Sequence, residues 1–166
     1  RMADLALSNA QYRQAINYLE EALGKAPNEN LRKSTGVDLS ETWQNAGDLQ
    51  ASRRYARQVL EMDANYGPAN LRMAAIYAAA VSQCTSGRRV ERDDRTVYWL
   101  VLDYLEKAQQ DPSTRNVATR QIQSYAPVMP TAEDKFFRGW ESGQRLNIDG
   151  SVGECYSWIS ETTTVR

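Results

Sequence analysis

The sequence predicts an all-α chain of short, tightly packed helix pairs that ends in a β-hairpin. Three observations predict it. Apolar and small residues recur at helical spacing through most of the chain, and that pattern returns in successive blocks. From position 143 onward, glycine turns and β-branched or aromatic residues replace it.

The first helix lies in "QYRQAINYLEEALGKAP" (11–27). Tyr12, Ala15, Leu19 and Ala22 fall on one face at about 3.6 residues per turn, and Ile16 and Leu23 widen it. Gln11, Arg13, Gln14, Asn17, Glu20, Glu21 and Lys25 fall mostly on the other side, as an amphipathic helix requires. The alanines let another backbone come close, and Pro27 ends the helix. A second block, Leu39 to Ala64, places Leu39, Ser40, Trp43 and Gly47 before Leu49, Ser52, Ala56 and Val59. A third opens at "GPANLRMAAIYAAA", where Met73, Ala74 and Tyr77 match Leu39, Ser40 and Trp43. Its second helix is "VYWLVLDYLEKAQQDP", whose Tyr98, Val101, Leu105 and Ala108 line up with Tyr12, Ala15, Leu19 and Ala22.

Two insertions interrupt the register: about three residues after Pro27 and about fifteen, over about 83–96, within "VSQCTSGRRVERDDRT" (81–96). The second reads as a solvated loop. A docking patch there would need Arg88, Arg89, Arg92 and Arg95 to present charge together, against Glu91, Asp93 and Asp94. After Asp111 another helix is expected, with Pro112 in its first turn and Val117, Gln121, Ile122 and Tyr125 at helical spacing, ending at "APVMP". Thr131 and Asp134 then form a cap-like pair before a helix made apolar on one side by Phe136, Phe137 and Trp140. These two helices, over 113–142, are expected to close the repeats of 1–112. The tail, 143–166, turns at Asp149-Gly150 between strands expected at Arg145–Ile148 and Tyr156–Val165. Such a hairpin is marginal alone and should dock through Trp158 and Ile159.

Composition narrows the function. The 166 residues suit one domain, and 20 basic against 21 acidic side chains argue against a general nucleic-acid binder. No apolar run approaches the roughly 18 residues of a membrane span; "MAAIYAAAV" is too short. The chain opens at "RMADLALSNA", already inside a helical pattern, and reads as the C-terminal part of a longer protein. There is no histidine, which removes the commonest general base and zinc ligand together. No phosphate-binding loop, dinucleotide fingerprint or nucleophile elbow occurs. Glu20–Glu21 and Asp93–Asp94 read as solvated surface. An active site could come only from carboxylates of distant segments. No catalytic residue, metal site or cofactor is predicted, and the chain is not expected to be an enzyme.

The three blocks resemble the tetratricopeptide repeat, a pair of antiparallel helices of about 34 residues. The family pattern has large, small and aromatic residues on the first helix, small, large and small residues on the second, and a closing proline. Here Ser40 and Ser52 stand where Gly or Ala is usual, and Ala64 where Pro is usual. The resemblance implies a right-handed helical solenoid with a concave groove lined by the first helix of each unit. In phase, the groove residues are Asp4 and Ser8; Asp38, Glu41, Gln44 and Asn45; and Leu71, Arg72, Ala75 and Ala79. The middle unit is acidic, unlike the basic clamp with which chaperone-binding members hold a C-terminal carboxylate. An irregular helical bundle is the alternative fold.

The tail is similar to that of tetratricopeptide-repeat proteins of Gram-negative envelopes. These have a Cys before an insertion, a "YWLVLDY"-like helix and an ending W-I-x-E-T-T-T-x-R, matched here by Cys84, Tyr98, Trp99 and Trp158–Arg166. The resemblance implies an extracytoplasmic home, periplasmic or outer-membrane-associated. The expected function is a scaffold or adaptor that binds a protein or peptide partner. The alternatives are a structural subunit of a larger assembly, or a carbohydrate binder or enzyme using Phe136, Phe137, Trp140, Tyr156 and Trp158. Finally, the chain has two cysteines, at irregular places off the periodic core faces. Cys84 and Cys155 are expected to form a disulfide, with two buried free thiols as the rival.

Overall fold

The computed structural model describes residues 2–166, with side chains from residue 10 onward. Among the described residues, seven α-helices precede two strands: α1 (Met2–Lys25), α2 (Glu29–Asn45), α3 (Leu49–Met62), α4 (Gly67–Cys84), α5 (Arg92–Gln110), α6 (Arg115–Tyr125), α7 (Ala132–Arg138), β1 (Arg145–Ile148) and β2 (Glu161–Thr164). Each helix from α1 to α5 packs on the next, and α2 also meets α4. The strands pair antiparallel, from Arg145 opposite Thr164 to Ile148 opposite Glu161.

Side chains at the helix ends set these boundaries. The Asn28 side chain accepts from the Leu31 N–H at 2.9 Å and starts α2. Asp48 does the same for α3 through the Ala51 N–H at 2.8 Å, just after Gly47 turns the chain at φ 90°. Thr131 and Asp134 form the expected reciprocal cap of α7: the Thr131 N–H donates to Asp134 at 2.9 Å, and the Asp134 N–H donates back at 3.1 Å.

Small residues explain how close the helices come. Ser40 and Ser52, the departures from the repeat pattern, are both fully buried and meet across α2 and α3. Their hydroxyls lie 3.1 Å apart, and the Ser52 hydroxyl donates to the Ser40 carbonyl at 2.6 Å. A polar pair that satisfies itself can stand where an alanine would. At Gly36 an added Cβ would lie 2.5 Å from Val59. Leu39, Val59, Met73, Tyr77, Val97, Trp99 and Leu105 fill the interior around these contacts.

Several expectations change. Helix α6 begins at Arg115, three residues after Pro112, because Asp111 bonds the Ser113 N–H at 2.8 Å and Thr114 donates to the Ala108 carbonyl at 2.6 Å, making a turn. The insertion is half helical: α4 runs to Cys84 and α5 starts at Arg92, leaving a loop of 85–91. The second strand is shorter than expected, since Glu154–Tyr156 forms a 3-10 turn that buries Tyr156. On α1, Ile16 is buried but Ala22 is exposed. On α7, Phe136 and Phe137 are 83% and 61% exposed, while Trp140 packs edge-on against Trp99 at 5.5 Å.

The tail docks as expected, with Ile148, Tyr156 and Ile159 in the main core and Trp158 half-buried against it. Cys84 and Cys155 are disulfide-bonded, with Cα atoms 5.9 Å apart. The rival reading of two free thiols is thereby excluded.

Candidate functional site

Repeat phase places eight of the ten candidate groove residues on α2 and α4; the side chains of Asp4 and Ser8 lie outside the described residues. Where α2 meets α4, Arg72 reaches across. Its guanidinium donates to Gln44 Oε1 at 2.5 Å and lies 3.9 Å from the Glu41 carboxylate. Asp38, Glu41 and Asn45 are exposed, and Leu71, Ala75 and Ala79 are half-buried. Burial lowers the Arg72 guanidinium below its ordinary value, and Glu41 works against that. Burial raises the Asp38 carboxyl, and Glu41 raises it further. The structure therefore brings Glu41, Gln44 and Arg72 together. The acidity expected of the middle unit is partly matched by α4. Two donors of this region, Arg72 Nε and Trp43 Nε1, are buried without an acceptor.

The arginines of the insertion are not presented as a free patch. Arg88 grips Asp94 with both Nη atoms, at 2.6 and 2.8 Å. Tyr156 donates to the same carboxylate at 2.6 Å, and the Glu91 N–H at 2.7 Å. Asp94 is thus buried, correcting its reading as solvated surface. Burial pushes its carboxyl up, and these donors outweigh that, leaving it below the usual range. Arg92 and Arg95 flank Asp134 at 2.9 and 3.6 Å, and Arg138 pairs with Asp93.

A second polar centre, absent from the sequence reading as a site, fastens the tail. Arg53 on α3 donates through Nε to the Tyr77 hydroxyl at 2.9 Å and through Nη1 to the Trp158 carbonyl at 2.7 Å. Its Nη2 serves the Ile159 carbonyl and Glu161 Oε1. Tyr77 also donates to Glu161 Oε1, and Tyr104 to Oε2 at 2.7 Å. Burial raises the Glu161 carboxyl, and bonds from Tyr77, Arg53 and Tyr104 overcome it, so it sits below its ordinary value. Burial pushes both tyrosine hydroxyls up, so they stay donors. Only the Glu of the tail motif hinted at this centre; its partners come from three helices that no motif links.

Of the tail aromatics, Tyr156 is fully buried and bonded to Asp94, so its ring cannot serve as a sugar platform. Among the described residues, no three His, Cys, Asp or Glu side chains are grouped to hold a metal ion. No helix among them is long and apolar enough to cross a membrane. In comparisons with family models, curated proteins and solved structures, the chain matches none.

Proposed function

We propose that the chain is a tetratricopeptide-like scaffold of the bacterial envelope, whose α2–α4 face takes a neutral or basic segment of a protein partner. The observation that carries this reading is the contact of Arg72 with Gln44 and Glu41. It joins the equivalent helices of two successive blocks into one surface, as a groove requires. Half-buried Leu71, Ala75 and Ala79 add apolar surface to that face, and exposed Asp38 gives it a sign of charge. The helix-on-next-helix packing supports the repeat reading. The Cys84–Cys155 disulfide supports a home outside the cytoplasm, where such bonds persist. The envelope resemblance of the tail makes it periplasmic or outer-membrane-associated.

The test is site-specific photo-crosslinking in the native envelope, with the reactive group at Asp38 or Ala79, and at Tyr18 on α1 as a control. The expected result is a discrete protein adduct from Asp38 and Ala79, and the Ala79 adduct is lost when Asp38 and Glu41 are both changed to Lys. Asp38 is exposed, whereas Glu41 is the ion-pair partner of Arg72, so the double variant should lose about 1 kcal/mol, and its fold is checked by circular dichroism. Adducts that persist in the double variant, or that form equally from Tyr18, would remove this face from the proposal.

A further inference from the structure

The crossing of the tail over α3 builds a groove that the α2–α4 face does not use. Gln50, Arg54, Arg57 and Gln58 line it along α3, with Trp158 of the tail against them, and its volume is about 390 Å³. At one end it continues past Trp158 toward Gly47 and Gln83. At the other it passes Arg57 and Glu61 and reaches Lys107 on α5. From Gln50 to Glu61 the helix rises roughly 16 Å, the length of about five residues of extended chain.

The charges of the groove are unequally used. Arg53 is spent, because its donors hold the tail and Glu161 matches its charge. Arg54 lies over the Tyr55 ring at 5.2 Å, and Lys107 over the Tyr104 ring at 4.7 Å. Among the described residues, neither Arg54 nor Arg57 has an acid within the 4.0 Å of an ion pair. Two open guanidiniums three residues apart lie on neighbouring positions of one helix face and suit carboxylates, which they can bind bidentately. Glu61, one turn beyond Arg57, sets the opposite requirement.

We propose that this groove binds an extended segment of a protein partner in which acidic residues alternate with neutral or basic ones. Acidic side chains sit on Arg54 and Arg57, a neutral or basic one sits beside Glu61, and Trp158 supports the strand between them. A uniformly charged polyanion is disfavoured, because it would set a negative group against Glu61. The site needs the docked tail, since Trp158 forms part of its wall.

The test uses fluorescence anisotropy on the whole chain at low ionic strength. The probe is a fluorescein-labelled octapeptide of alternating glutamate and alanine with one central lysine. The comparators are octaglutamate and polygalacturonate. The expected result is saturable binding of the mixed peptide, about tenfold weaker in Arg57→Ala at an unchanged melting temperature. Arg54→Gln is the second variant should Arg57→Ala lower the melting temperature. Glu61→Gln should erase the preference for the mixed peptide over octaglutamate. The proposal is overturned by a mixed peptide that does not saturate, by undiminished binding in a folded Arg57 or Arg54 variant, or by tighter binding of polygalacturonate. Because Asp38 and Glu41 take no part, loss of the α2–α4 proposal would leave these results unaffected.

Discussion

Arg53 bonds to four acceptors on three segments: a tyrosine of α4, two tail carbonyls and a strand carboxylate. Lysine has neither the planar fork nor enough fixed donors for that set, so Arg53→Lys should not substitute for it. Arg53→Ala should cost about 3 kcal/mol or more, since it leaves Glu161 half-partnered inside the protein; urea unfolding would measure it. The pH dependence follows from Glu161, whose folded value lies below its ordinary 4.5. Its stabilisation is complete above that value and fades as pH falls through the folded value. Glu161→Gln should therefore be the less stable protein near neutrality, and its deficit should shrink on acidification below pH 4.5. A deficit that stays constant with pH would contradict this role. Gly67 gives a separate prediction. An added Cβ would meet Thr114 at 2.0 Å and Asp111 at 2.7 Å, so Gly67→Ala should lower stability by about 1–3 kcal/mol, read from thermal melts.

At the scale of elements, periodicity and local caps were legible, and features set by cross-chain contacts were not. The α3 face of Leu49, Ser52, Ala56 and Val59 is buried as its spacing predicted, because a helix face is a local pattern. The Thr131–Asp134 cap and strand β1 were equally legible, each resting on chemistry within a few residues. The start of α6 was misplaced because a turn at Asp111 also serves the Gly67 N–H at 2.8 Å, forty-four positions away. Asp94 was misread for the same reason: the tyrosine that buries it belongs to the tail. In the proposed α2–α4 face, the sequence pattern puts Gln44 and Arg72 on helices, whereas the reach of Arg72 to Gln44 depends on how the two helices cross. The tail can be tested as one element. Deleting 153–166 removes Tyr156, Ile159 and Val165 from the interior, each worth roughly 1.5–3 kcal/mol. The shortened chain should melt lower and aggregate in sedimentation velocity; an equal melting temperature with a single species would show that the helices stand without it.

For the whole molecule, the strongest constraint comes from two residues. The disulfide joins Cys84 to Cys155 across a sequence separation of 71, enclosing α5, α6, α7 and β1. Closing a loop of that size removes unfolded-chain freedom worth about 4 kcal/mol. Asp94, Arg88 and Tyr156 brace the same corner of the fold from the other side. The bond also decides how the molecule carries mechanical load. Tension applied to its two ends passes from α4 straight through the sulfur atoms into the 3-10 turn that leads to the last strand, bypassing everything between. Under force, about 250 Å of extended chain would stay folded away from the load until a reductant released it.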